Sequence, residues 1–207
     1  MIAAFKRGDD IHKATASTVL GVKVGEVTSE MRRLAKTLNF GIIYGMGPQR
    51  LAETTGVPLA EARDFIRKYF EAYPGIKNYT ESILEDARRS GFTRTICGRR
   101  RPIPGLNDTN MGLKARAENM AVNAPIQGTA ADLIKLAMIQ LDRRLARGGY
   151  ASRLVLQIHD ELVLECPATE VAEVREIVRQ EMENALDVGT PLKVEVGSGK
   201  NWLEAHG

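Results

Sequence analysis

Four side chains in the segment RRLAKTLNFGIIYG, residues 32–45, have the types and spacing to hold a nucleotide. Arg32, Lys36, Phe40 and Tyr44 recur at every fourth position, and Gly45 follows. On an α-helix each such step turns about 400°, so the four drift by only about 40° per step along a stripe about 18 Å long. The cations suit a phosphate chain, and the rings suit a base or sugar. A second reading stays open, because Leu34, Leu38 and Ile42 could equally define a buried helical face. The triplet His159-Asp160-Glu161 is the next centre. Two adjacent carboxylates at a turn concentrate charge where a divalent cation can sit, although aspartate also favours turns for its own hydrogen-bonding reasons. Arg99, Arg100 and Arg101 beside the Cys97-Gly98 turn suit backbone phosphates, or form a solvated charge run.

Helices must carry the first group. Thr28 is a plausible N-cap with Glu30 in the first turn, and Gly45-Met46-Gly47-Pro48 stops the helix. A second helix is expected over about 58–72, with Leu59, Ala62, Phe65, Ile66 and Tyr69 on one face. Tyr73-Pro74-Gly75 breaks it, and another helix runs to about Ser90. Thr93, Thr95 and Ile96 read as a short strand before the arginines. From about Gly112 to Arg147 the period is helical again, with an interruption expected at Asn123-Ala124-Pro125. Alternation over RLVLQIHDELVLEC, residues 153–166, predicts two strands joined at His159-Asp160-Glu161, with Leu154, Leu156 and Ile158 toward one face. A helix over about 168–186 and a final strand in PLKVEVGSG complete the expectation.

The chain has 207 residues, of which 43% are hydrophobic and 27% charged, as in a globular protein. No apolar run approaches a bilayer span, and the N-terminal residues lack the apolar stretch of a secretory signal. Cys97 and Cys166 are too few for a disulfide scaffold, so a reducing, cytoplasmic setting is expected. The net charge of +3 hides an asymmetry. Residues 1–118 carry 20 Lys and Arg against 13 Asp and Glu, and residues 119–207 carry 9 against 13. A basic front half suits polyanions, and an acidic back half suits metal binding or simple solvation.

The stripe resembles the fingers helix of the family A DNA polymerases, the bacterial DNA polymerase I type, whose pattern is Arg-x-x-x-Lys-x-x-x-Phe-x-x-x-Tyr-Gly. VLQIHDELVLE resembles that family's metal-binding palm hairpin, and NAPIQGTAADLIKLAM, residues 123–138, its palm helix. GDDIHKATA resembles the helix that brings a histidine to the triphosphate, and VGSGKNWLEAH resembles the family's C-terminus. The resemblance covers essentially the whole chain. It implies an α+β fold, with predominantly helical fingers over residues 1–118. Part of a palm, with an antiparallel hairpin and a C-terminal strand, would occupy residues 119–207.

By the same resemblance, dNTPs and primer–template DNA are the expected partners, and two Mg²⁺ ions serve the completed site. Asp160 would be a metal ligand and Glu161 a supporting carboxylate, with His159 near the primer terminus. Arg32, Lys36 and His12 would hold the triphosphate, with Lys36 also placed to protonate the leaving pyrophosphate. Phe40 would pack on the sugar and Tyr44 at the template base. Asn123 and Gln127 would read primer–template from the minor groove, where acceptors look alike in every correct pair. Arg99 and Arg100 would meet DNA phosphates.

Two departures from the family pattern stand out. Asn119 occupies a position where an arginine toward DNA is typical. The family's other catalytic aspartate, in a motif resembling Asp-Tyr-Ser-Gln-x-Glu-x-Arg, would lie upstream of IAAFKRGDDIH and is not in this sequence. The expectation is a polymerase component, inactive alone. A second chain would supply the thumb and remaining palm. The alternative is a non-catalytic nucleotide- or DNA-binding fragment of a truncated polymerase.

Overall fold

A computed structural model describes residues 2–206, which divide into two compact units, one up to Gly128 and one from Thr129 onward. The first unit opens with α1 (Ile2–Arg7) and α2 (Ile11–Leu20). Helix α3 (Ser29–Ile43) starts at Thr28, whose side chain accepts from the Met31 amide at 3.2 Å. That bond satisfies one of the free N–H groups of the first turn. The other end closes with Gly45 at φ 71°, a conformation natural to glycine. The Met46 amide reaches back to the Gly41 carbonyl at 2.7 Å and the Gly45 amide to that of Ile42 at 3.0 Å, the paired bonds of a Schellman cap. Met46 folds over Gly41, where a Cβ would meet its sulfur at 2.7 Å.

Helices α4 (Pro48–Thr55), α5 (Leu59–Ala72) and α6 (Pro74–Ser90) follow. Leu38, Ile42, Leu51, Ala62 and Tyr69 form a core cluster with Val19 of α2. The face expected on α5 is the one buried, except that Leu59 at its first turn is 37% exposed. A short hairpin, β1 (Phe92–Arg94) and β2 (Arg100–Pro102), pairs antiparallel with Thr93 opposite Arg101.

Helix α7 (Met111–Gly148) runs unbroken through Pro125, where the sequence leads one to expect an interruption. Proline removes one backbone donor and crowds the preceding turn. Packing of Ala117, Ala121 and Ala124 against Ala87, Ile103 and Leu106 holds the helix through that point. Tertiary burial here overrides local preference.

In the second unit, Ile134, Ala137, Leu141 and Leu145 of α7 pack against Val174, Ile177, Val178 and Met182 of α8 (Val171–Glu183). The hairpin β3 (Arg153–Ile158) and β4 (Glu161–Glu165) is antiparallel. A bulge between Leu154 and Leu156 breaks the expected alternation, since the extra residue flips the face. Val155 and Leu156 are consequently 52% and 47% exposed. Leu162, Leu164 and Cys166 do face the core cluster.

The expected strand in PLKVEVGSG forms no ladder. Its Val194 amide donates instead to the Glu183 carboxylate at 3.0 Å, while Val194 and Val196 rest on the core. Alternating burial is present without a strand partner, so period alone misleads. A short helix, α9 (Trp202–His206), ends the described residues. No helix among them is long and apolar enough to cross a membrane.

Candidate nucleotide-binding face and carboxylate hairpin

Both faces of α3 are used. Leu38 and Ile42 are buried, while Phe40 and Tyr44 are 51% and 52% exposed. Phe40 lies on α3 and Tyr44 is its C-cap, so both rings are open to solvent at the end of the helix. Lys36 is exposed, and among the described residues no hydrogen bond or ion pair holds its ammonium. The Arg32 Nε donates to Asp10 at 2.7 Å. Asp10 also caps α2, accepting from the amides of His12 and Lys13 at 2.9 and 3.0 Å. The hydrogen bond from Arg32, with those amides, holds the Asp10 carboxyl below its ordinary value.

His12 is half-buried beside Phe40, with ring centroids 5.7 Å apart. Its Nδ1 faces the Asn39 amide nitrogen at 3.0 Å. Burial lowers its pKa; Asp10 pulls the other way, and Arg32 and Lys36 reinforce the lowering. His12, Arg32, Lys36 and Phe40 therefore belong to one α2–α3 surface, with Tyr44 at the end of the stripe.

Elsewhere in the first unit, the arginines do more than solvate a turn. Arg94 and Arg100 place their guanidinium carbons 4.9 and 5.0 Å from the Phe92 ring centroid, within cation–π range. Arg99 donates to the Gly128 carbonyl at 2.8 Å. On α7, Asn123 donates to the Asn119 carbonyl at 2.8 Å, its Oδ1 is buried without a partner among the described residues, and Gln127 is exposed.

In the second unit the hairpin turn comprises two residues, His159 and Asp160, because Glu161 already pairs with Ile158 in the ladder. His159 adopts φ 51°, the one non-glycine residue with positive φ among those described. Tight hairpin turns require such a conformation, and the Gln157 amide braces it by donating to the His159 carbonyl at 2.6 Å. Asp160 projects exposed and without a side-chain partner among the described residues. Glu161 instead lies 3.3 Å from His206 Nε2. The Trp202 carbonyl on Nδ1, and then Glu161, push His206 above its ordinary pKa.

Among the described residues no group of three or more His, Cys, Asp or Glu side chains is placed to hold a metal. One free carboxylate beside one engaged by histidine does not make a two-ion Mg²⁺ site, which needs several shared oxygens.

The sequence matches the model of DNA polymerase family A over residues 1–204. The chain belongs to that family. It is 46% identical to the DNA polymerase I of Lactococcus lactis over 206 residues, 99% of this chain and 24% of that protein. It is 45% identical to the thermostable DNA polymerase I of Thermus thermophilus over 207 residues, 100% of this chain and 25% of that protein. The chain thus spans about a quarter of the length of these curated relatives. A solved structure of the polymerase domain of Pol1 from M. smegmatis, in complex with DNA primer-template and dNTP, superposes with a TM-score of 0.94 at 40% identity. That match covers 100% of this chain and 36% of the solved one.

Three residues behind this surface lie within GDDIHKATA and RRLAKTLNFGIIYG but take no role from the sequence pattern: Asp10, Thr15 and Asn39. The signal that points to Asp10 is a cap-forming residue at the start of a helical run. Thr15 and Asn39 gave no such signal, because their partners come from another helix.

Proposed function

We propose that the chain is the dNTP-selecting part of a DNA-directed DNA polymerase and contributes Asp160 to its metal site. Fingers over about 1–118 and a partial palm over about 119–207 are the assignments that follow. The observation that carries the reading is α3 itself: one face is packed into the core while Lys36, Phe40 and Tyr44 stand exposed beside Arg32 and His12. Polymerase I relatives and a neighbour bound to primer-template and dNTP support it.

In this reading Arg32, Lys36 and His12 meet the triphosphate, Lys36 supplies the proton for pyrophosphate, Phe40 packs on the sugar and Tyr44 meets the template base. Asn123, Gln127, His159, Arg99 and Arg100 face primer–template, with Glu161 supporting Asp160. The completed site takes two Mg²⁺ ions, and the carboxylate that pairs with Asp160 comes from polypeptide outside these residues, on the same chain or a second one. Such a protein acts on cytoplasmic DNA.

Primer extension tests this with the 207-residue chain alone and mixed with a polypeptide carrying a related polymerase's upstream palm and thumb. We expect extension only in the mixture, lost with Asp160→Ala and reduced at least about tenfold with Lys36→Ala. No extension in any mixture, with dNTP binding intact, would favour the non-catalytic binding fragment. Extension by the chain alone would show that another of its carboxylates completes the site.

A further inference from the structure

Two polar side chains are buried in the seam between α2 and α3. Thr15 is fully buried and Asn39 is 7% exposed. Burying such groups is costly unless each finds a partner. Here they form a directed chain: Thr15 Oγ1 donates to Asn39 Oδ1 at 3.1 Å, and Asn39 Nδ2 donates to His12 Nδ1 at 3.0 Å. His12 and Thr15 lie three apart on α2, on one helical face. Asn39 immediately precedes Phe40, whose ring supports the imidazole.

The direction of the chain has a chemical consequence. In this arrangement Oδ1 meets the threonine hydroxyl and Nδ2 meets the imidazole, so Asn39 presents N–H to the ring. Nδ1 must then be an acceptor, and a neutral ring carries its proton on Nε2. Nδ1 turns into the seam, so Nε2–H lies on the side of the ring away from Asn39. Asp10, Arg32 and Lys36 are the charged groups that bear on this ring, and burial opposes its protonation.

We infer that Thr15 and Asn39 are positioning residues that lock His12 as the Nε2–H tautomer, making it a fixed neutral donor to a phosphate held by Arg32 and Lys36. The tautomer lock deepens the dNTP-binding reading above and rests on it for the identity of the ligand. A neutral donor of fixed direction adds a hydrogen bond without a third cation to desolvate. A freely rotating or tautomerising imidazole would offer an N–H only part of the time.

The test uses the 207-residue chain labelled with ¹⁵N-histidine, read by two-bond ¹H–¹⁵N correlation at neutral pH and then titrated with dATP and Mg²⁺. His12→Gln assigns the signal among the three histidines. We expect wild-type His12 to show a single Nε2–H tautomer, with Nε2 shifting on dATP addition. Thr15→Val combined with Asn39→Leu replaces the buried chain by apolar groups of similar size, which guards against simple unfolding. In that double variant we expect mixed tautomers and dATP affinity about tenfold weaker. Thr15→Val alone, which frees the amide to turn, should show a partial effect of the same sign.

A mixed or Nδ1–H tautomer in the wild type, with dATP still bound, would overturn the relay while leaving the nucleotide reading intact. So would an unchanged tautomer in a folded double variant. The expected tautomer with no response to dATP would overturn the nucleotide reading and, with it, the role assigned to this donor.

Discussion

Gly45 concentrates two separate constraints in one residue. Its φ of 71° disfavours any side chain, and an added Cβ would lie 1.8 Å from Asn119 Oδ1. Gly45→Ala should therefore lose about 1 kcal/mol to backbone strain and a further steric increment. The second part is separable, because the obstructing atom is the end of a flexible side chain. Chemical denaturation of Gly45→Ala, Asn119→Ala and the double variant forms the cycle. The double variant should recover the steric increment and leave the backbone cost; strictly additive losses would mean that Asn119 already swings clear. Gly45 was legible in sequence as a helix stop, but its clash with Asn119 was not. Nothing local to residue 45 announces a neighbour 74 positions away. The stripe residues were legible because helical period alone groups them, whereas the Thr15–Asn39–His12 chain crosses between helices and leaves no periodic trace.

At the scale of elements, α3 stands on a cluster that contains Tyr69 of α5, wholly buried, with a hydroxyl that meets no partner among the described residues. Burial pushes its pKa up to about 12. The ring is well placed, with edge contacts to Tyr73 at 5.0 Å and Phe70 at 6.0 Å. An unpaired buried hydroxyl costs about 1–3 kcal/mol of desolvation. Tyr69→Phe keeps the ring and removes that group, so it should raise thermal stability by about 1 kcal/mol. A fall in melting temperature would mean that the hydroxyl has a partner in solution. Of the helices around this cluster, α3 and α5 were readable from apolar spacing and, for α3, its cap, since both signals are local; α2 and α4, which bring Val19 and Leu51, were not delimited. Elements that failed to match expectation did so through long-range causes. Alanine packing carries α7 through Pro125, a bulge at Val155 turns β3 over, and the Glu183 carboxylate takes the amide that a last strand would have paired.

For the whole molecule, two histidines shape the pH dependence from opposite sides of their ordinary value near 6.5. His12 is lowered in the folded state, chiefly by burial, so between its lowered value and 6.5 the unfolded chain binds more protons. Its effect is that stability rises with pH through that window and is flat above it. His206 is raised, chiefly by its bond to the Trp202 carbonyl and then by Glu161, so its contribution is complete below 6.5 and is lost as pH climbs through the raised value. Lowered carboxyls at Asp10, Asp64 and Glu170 add an acid limb, lost as pH falls through their folded values. The combined histidine effect is greatest near pH 6.5, and the alkaline limb should be shallow because His206 is exposed and its charge is screened by solvent. Trp202 isolates that limb. It is the one tryptophan in the chain, stacked on His206 at 5.4 Å, and its indole N–H lies 3.2 Å from the same Nε2 that faces Glu161. Neutral imidazole can accept from Trp202 at Nε2; protonated imidazole can only donate, to Glu161. Tryptophan emission should therefore titrate with a midpoint above 6.5, and Glu161→Gln should move it downward while leaving the His12 window in place. A midpoint unmoved by Glu161→Gln would mean that the backbone bond alone raises His206 and that Glu161 is free to join Asp160.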